Sequence, residues 1–334
     1  MSRVVPAEWS PHQAMWLGFP SHEELWEDDL APAQDEVAAL ARALAGPGAE
    51  RVRLMVDGDA AHAAALARLD GLAGVELVRG QFGDVWFRDT GPIFFQDGGD
   101  ILGAAFRFNG WGGKYELEGD EAVAEQIAAA SGRVRVEHDF VLEGGAVDFD
   151  GFGTALSTRQ CLLNPNRNPG WTDAAAEAAL GQALGVKKLL WLGDGLLNDH
   201  TDGHVDNLAR FVAPGVAACP LAFGLNDPNA AVYDDAARRL ASFTDARGAS
   251  LQVARIPSPG FIEDDQGRAV PASHMNFIIA NEAVIAPTYD ERAAGFALDA
   301  LRSLFPERTV IGLPARALLT GGGSFHCISQ QEPV

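Results

Sequence analysis

Apolar positions along the chain recur with two periods. Over Pro32–Leu44, the residues Val37, Leu40, Ala41 and Leu44 fall on one helical face, with Pro32 suited to a first turn and Gly46 to a stop. Similar stretches predict helices over Ala60–Leu69, Asp120–Ala130, Thr172–Leu184, Asn229–Arg247 and Asp290–Phe305. Short β-type runs lie between them, at Val52–Val56, Val75–Val78, Ile101–Phe108, Lys188–Leu192, Leu251–Ile256 and Thr309–Leu313.

A longer period overlies these. Three segments read as strand, turn, strand: Ala146–Phe149 with Gly153–Ser157, Val205–Val212 with Val216–Cys219, and Asn276–Ala280 with Ala283–Pro287. Val85–Phe95 and Ser324–Ser329 read as single strands of the same series. A polar residue marks each unit: Asp89, Glu143, Asp206, Asn276 and Cys327, at spacings of 54, 63, 70 and 51 residues. About one helix falls in each interval. Five comparable units predict an α/β repeat that closes on itself. The alternative is a doubly wound sheet, but hairpins argue against all-parallel strands.

The 334 residues admit two ordinary domains or one large repeat. Apolar residues make up 47% of the chain, enough for a large core. No stretch is long and apolar enough to predict a membrane span, and the first residues lack the apolar region of a signal peptide. Three cysteines without a C-x-x-C pair fit a reducing, cytoplasmic setting. The 25 basic and 46 acidic residues leave a net charge of −21. Such a balance argues against nucleic acid as a partner and is compatible with small cations.

Some residues stand out chemically. Cys327 follows Gly321-Gly322-Gly323, where a backbone can turn sharply and present a thiol. Cys161 and Cys219 read as small buried apolar residues. His204 and Asp206 would share one side of a strand, as a proton-transfer pair or as two metal ligands. No H-E-x-x-H motif supplies an evident third ligand, so no metal is expected. Asp89 and Glu143 sit between apolar residues and a glycine turn. Their plainer readings are an Arg88 ion pair or turn cap for Asp89, and a solvated turn for Glu143. Together, buried acids call for a cationic ligand, and a planar guanidinium satisfies carboxylates in pairs. A thiol, a histidine and several acids thus suggest nucleophilic attack on a guanidinium carbon.

The chain also resembles the agmatine deiminases, in the guanidine-modifying (pentein) superfamily that includes Porphyromonas-type peptidylarginine deiminases. The resemblance runs nearly end to end. Its motifs are Pro6-Ala7-Glu8-Trp9, Trp86-Phe87-Arg88-Asp89-Thr90-Gly91-Pro92, Asn109-Gly110-Trp111-Gly112-Gly113-Lys114 and Leu142-Glu143-Gly144-Gly145. Cys161-Leu162-Leu163-Asn164, Thr201-Asp202-Gly203-His204-Val205-Asp206-Asn207 and Gly321-Gly322-Gly323 through Cys327 complete them. The resemblance implies one catalytic domain over residues 1–334, built as a five-bladed α/β propeller of ββαβ modules. It implies hydrolysis of agmatine to N-carbamoylputrescine and ammonia, with Cys327 as nucleophile and His204 as general acid and base. Asp89 and Asp206 would bind the guanidinium, with Glu143 assisting, and Trp86 and Trp111 would wall the pocket. An acid that helps hold the distal ammonium is usual four residues before the histidine. This chain has His200 there, beside Asp199 and near Asp202, and His274 stands where a tyrosine is common. No cofactor is implied, because the thiol supplies the covalent step. The partner implied is a small cationic guanidine, and a homo-oligomer is compatible with it. Competing readings are a deiminase of another terminal guanidine such as peptidylarginine, a metal-dependent amidinohydrolase, and a polyamine-binding module.

Overall fold

The computed structural model describes residues 3–334. In chain order its strands are β1 (His12–Gly18), β2 (Val52–Val56), β3 (Val75–Arg79), β4 (Ile93–Asp97), β5 (Asp100–Arg107) and β6 (Val134–Val141). They continue with β7 (Asp148–Phe149), β8 (Thr154–Thr158), β9 (Lys188–Leu192), β10 (Arg210–Ala213) and β11 (Val216–Leu221). The last are β12 (Gln252–Pro257), β13 (Ile278–Ile279), β14 (Ala283–Thr288), β15 (Thr309–Pro314) and β16 (Ser329–Pro333).

These strands form five small sheets with one shared plan. In β4-β5-β6, β7-β8-β9, β10-β11-β12 and β13-β14-β15 the first pair is antiparallel and the second parallel. The remaining sheet, β16-β1-β2-β3, draws its antiparallel partner from the other end of the chain. Parallel neighbours need a crossover, and a helix occupies each one. The helices are α1 (Leu30–Ala45), α2 (Gly58–Leu69), α3 (Val123–Ser131), α4 (Asp173–Leu184), α5 (Ala230–Ser242) and α6 (Glu291–Leu304). The architecture is mixed α/β.

Burial explains the sequence pattern. All of β2 and β8 is buried, as expected of strands covered on both faces. The helices present small residues inward; α6 buries Ala293, Ala294, Ala297 and Leu301. Side-chain caps start α4 at Thr172 and α6 at Asp290. The largest apolar cluster joins Trp16, Val37, Leu54, Ile127, Ile285 and Phe325, drawn from both ends of the chain. Among the described residues, no helix is long and apolar enough to cross a membrane.

Most elements match the expectation, and the departures share a cause. The helix expected over Asn229–Arg247 stops at Ser242, because Asp245 accepts hydrogen bonds from the Arg247 and Ala249 amides and forms its own turn. The strands expected from Val85, Val205 and Ser324 begin later. Phe87–Thr90 is one helical turn, Val205–Asn207 is a 3₁₀ turn, and the last strand starts only at Ser329. Likewise, Asn276 and Ala146 precede their strands. Amides here close turns on backbone carbonyls, as those of Asp89 and Thr90 do on Trp86, or bond to buried side chains, as those of Gly145, His326 and Cys327 do to Asp89 and Asn276, so no ladder forms.

Candidate active site

A short turn precedes the first strand of each antiparallel pair, and these turns deliver polar side chains to one place. Asp89 lies ahead of β4, Glu143 ahead of β7, His204 and Asp206 ahead of β10, Asn276 ahead of β13, and Cys327 ahead of β16. The Cys327 Sγ is 3.7 Å from Asp206 Oδ2 and 3.1 Å from Asn276 Nδ2. Asn276 Oδ1 accepts from the backbone amides of His326 and Cys327, at 2.9 and 3.2 Å, which fixes the thiol-bearing turn. His204 Nδ1 is 3.7 Å from Asp89 Oδ1, and its Nε2 is 4.0 Å from Glu143 Oε2. Asp89 also accepts from the Gly145 amide and from Trp111 Nε1, both at 2.9 Å. The Arg88 side chain turns away from Asp89 to Gln330, so the ion pair considered for Asp89 is not formed.

Two glycines make this crowding feasible. A Cβ on Gly145 would sit 2.5 Å from His204 Nδ1 and 2.9 Å from Asp89 Oδ1. A Cβ on Gly323 would sit 2.5 Å from the Trp86 ring. Trp111 itself takes a left-handed backbone, with φ of 54°. That conformation costs a bulky residue of order 1 kcal/mol or more. The hydrogen bond from its indole to Asp89 holds it there.

The site is strongly anionic and buried. Glu143 is not solvated: it is 1% exposed, and its Oε1 accepts from Arg167 Nε at 2.7 Å. Burial pushes the Asp89 carboxyl up, against the lowering effect of His204. Burial also opposes charge on His204, but Asp89, Cys161 and Glu143 outweigh it and raise the imidazole well above its usual range. Asp206 goes the other way. Burial is overcome by the His326 hydrogen bond and by the charges of His326, His204 and Arg210, so its pKa is lowered. His326 is held between Asp206 (2.8 Å) and Glu8 (3.2 Å), and Glu8 in turn contacts Arg210. Only Oδ2 of Asp206 is engaged in this way; Oδ1 has no partner among the described residues. Burial, then the charges of Asp206 and Asp89, push the Cys327 thiol well above its ordinary pKa. The Cys327 thiol is therefore neutral and stands in a negative field.

Asp89 and Cys327 line a cavity of about 230 Å³, together with Trp26, Asp84, Trp86, Trp111, Tyr115 and His200. No lysine or arginine among the described residues lines it. His200 stacks on Tyr115 and pairs with its hydroxyl at 3.0 Å. Asp199, His204, Asp206 and Glu143 are not among the lining residues; Asp199 Oδ1 accepts from the Thr201 amide and hydroxyl at 2.9 and 2.6 Å, and its buried Oδ2 has no partner among the described residues. Asp202 is likewise occupied, by Lys114, Arg167 and Asn166. His274 is buried, with its Nδ1 on the Pro257 carbonyl at 2.8 Å.

Sequence reading missed several participants. Asp84 lines the cavity and accepts from Trp86 Nε1 at 2.6 Å and Trp26 Nε1 at 3.3 Å. Burial pushes its carboxyl up to about 7. No basic side chain bonds to it among the described residues. Its signal was its place two residues before Trp86. Cys161 is buried as expected, yet its thiol lies against His204. A potential third ligand beside His204 was hidden from the sequence for a related reason. Ligand atoms of Glu143, Cys161 and His204 lie within 4.8 Å of one another, brought together from separate turns that no local spacing connects.

Comparison with known proteins adds to this geometry. Residues 4–333 match the family model of the Porphyromonas-type peptidyl-arginine deiminases. The agmatine deiminase of Stutzerimonas stutzeri is 39% identical over 355 residues, covering 99% of this chain and 95% of that protein. The agmatine deiminase of Pseudomonas aeruginosa is 38% identical, again over 99% and 95%. The solved agmatine deiminase of Enterococcus faecalis superposes with a TM-score of 0.92 at 33% identity, covering 99% of this chain and 96% of that one. An amidinotransferase from Microseira wollei, 12% identical with a TM-score of 0.56, covers 97% of this chain and 95% of its own and shares the fold alone.

Proposed function

The chain belongs to the Porphyromonas-type peptidyl-arginine deiminase family, and on that premise we propose that it hydrolyses agmatine to N-carbamoylputrescine and ammonia. The observation that carries the reading is a buried thiol 3.7 Å from Asp206 and a histidine 3.7 Å from Asp89, beside a cavity that Cys327 and Asp89 line and that no lysine or arginine among the described residues enters.

Asp206, through its unpartnered Oδ1, and Asp89 receive the guanidinium and fix its plane. The arriving cation offsets the field that holds the Cys327 proton, so the thiol ionises as substrate binds. The thiolate attacks the guanidinium carbon. The tetrahedral adduct collapses, a C–N bond breaks, and His204 protonates the departing ammonia. The amidino group stays on sulfur as a thiouronium. His204, now neutral, takes a proton from water as that water attacks the same carbon. The C–S bond then breaks, and the product leaves as the substituted urea. Glu143, held by Arg167, faces His204 and favours its charged form. Trp86 and Trp111 flank the aliphatic chain. Asp84, a buried carboxylate without a basic partner, is the counter-ion available for the distal ammonium.

Residues 1–334 act here as one catalytic domain, and the five sheets as blades of a closed ring. The pairing of β16 with β1 across the chain ends supports that closure. A free nucleophilic thiol also favours a reducing, cytoplasmic setting.

The test is ammonia release from agmatine, free arginine and a peptidyl-arginine substrate. Agmatine should exceed arginine by at least about a hundredfold in kcat/KM, because no basic residue meets the carboxylate of arginine. Equal efficiency on arginine overturns the agmatine reading. A preference for the peptide assigns the site to protein-bound arginine.

A further inference from the structure

We propose that Glu143, Cys161 and His204 form an inhibitory binding site for a thiophilic divalent cation such as zinc. Each offers one ligand atom, all are buried, and these atoms lie within 4.8 Å of one another. Their chemistry is that of protein zinc sites: a thiolate, an imidazole and a carboxylate. Their orientation fits as well. Arg167 occupies Oε1 of Glu143, which leaves Oε2 facing His204 Nε2 at 4.0 Å. That Nε2 is buried and has no hydrogen-bond partner among the described residues. The Cys161 amide donates to Thr158 Oγ1 at 3.3 Å, which anchors the turn that carries the thiol against the imidazole.

The required contraction is small. Zinc lies about 2.3 Å from sulfur and about 2.0–2.1 Å from nitrogen or oxygen, so tetrahedral ligand atoms sit roughly 3.3–3.7 Å apart. The Glu143–His204 separation of 4.0 Å is already close to that value. Asp89 Oδ1 stands 3.7 Å from the other ring nitrogen of His204, so the cluster lies in acidic surroundings that favour a cation. The metal is not a cofactor for the reaction. It displaces the Nε2 proton of His204, occupies the lone pair that the proposed chemistry needs, and replaces the substrate's positive charge with its own. Binding releases to solvent both this proton and that of the Cys161 thiol.

The inhibitory consequence rests on the deiminase reading, whereas metal binding does not. The decisive experiment is therefore a cobalt(II) titration of Cys327→Ser, which removes the nucleophilic thiol. We expect one equivalent to produce a sulfur-to-cobalt charge-transfer band. Cys161 would be the source, because Cys219 belongs to no such cluster among the described residues. The band should vanish when Cys161→Ala is added. In the active enzyme, zinc should inhibit reversibly and a chelator should restore the rate. Cys161→Ser, compared with its own uninhibited rate, should raise the zinc concentration for half-inhibition by at least about tenfold. No charge-transfer band in Cys327→Ser at saturating cobalt overturns the site, whatever happens to activity. So does zinc inhibition of equal strength in Cys161→Ser. If the protein turns over no guanidine, the cobalt titration alone still decides. If Cys161→Ser fails to fold, the Cys327→Ser spectrum is sufficient.

Discussion

At the scale of single residues, the central fact is a thiol held neutral by burial and then by the charges of Asp206 and Asp89. A cation should therefore switch on its own nucleophile. A cationic haloacetamidine should alkylate Cys327 faster than the matching neutral haloacetamide at neutral pH, by at least about tenfold beyond their ratio on a free thiol, since one pKa unit is worth about 1.4 kcal/mol. Peptide mapping after brief labelling measures this, and equal rates would show that the local field does not govern the thiol. Asp84 makes a second residue-scale statement. Its carboxyl titrates near about 7 because it is buried. Below that value it is neutral and offers little to an ammonium; above it the charge is present. Agmatine binding to the Cys327→Ser variant should weaken as pH falls through about 7 and should release protons near that pH. Calorimetry in buffers of different ionisation enthalpy counts those protons. Asp84→Asn should weaken binding at high pH and remove most of the release; an unchanged proton count would move the ammonium elsewhere.

Among elements, the turns ahead of the first strands matter more than the strands. The repeat places them, but their work depends on how closely they pack. Glu143-Gly144-Gly145 shows this, because the Gly145 amide holds Asp89 and its missing Cβ leaves room for His204. Gly145→Ala should keep the fold and lose roughly a hundredfold in kcat, the scale expected when reacting groups move by about 1 Å. Circular dichroism with ammonia-release kinetics checks both halves. A variant of near-parental kcat would mean that the turn shifts without disturbing the His204–Asp89 pair. The same turns account for the misplaced strand starts. Alternation of side chains describes a ladder, and it is silent where amides close turns on nearby carbonyls or bond to buried side chains.

For the molecule as a whole, the joint between the chain ends is the feature on which the site depends. β16 carries Cys327 at its threshold and pairs with β1. Glu332 secures that joint. Its buried carboxylate accepts from Arg53, Trp16, Ser131 and Arg133, at 3.1, 3.3, 2.9 and 3.2 Å. Glu332→Ala leaves Arg53 without this partner and should lower unfolding stability by about 3–5 kcal/mol. Denaturant unfolding measures it, and a loss under about 1 kcal/mol would place the stability of the joint in its apolar cluster instead.

The sequence by itself determined the rhythm of the chain, namely its helices, its strand pairs and the recurrence of one polar residue per unit. Those features follow from local periods of burial, which each segment carries alone. It also singled out Cys327, His204, Asp89, Asp206 and Glu143, because thiol, imidazole and carboxylate beside glycine turns are uncommon company for a core. Only the tertiary structure decided which oxygen of Asp206 is unpartnered, that Asp199 faces Thr201, that Asp84 joins the cavity, and that Cys161 lies against His204. Each of these depends on residues far apart in the chain. Distance, burial and field add up across several turns at once, and no segment encodes its neighbours' positions.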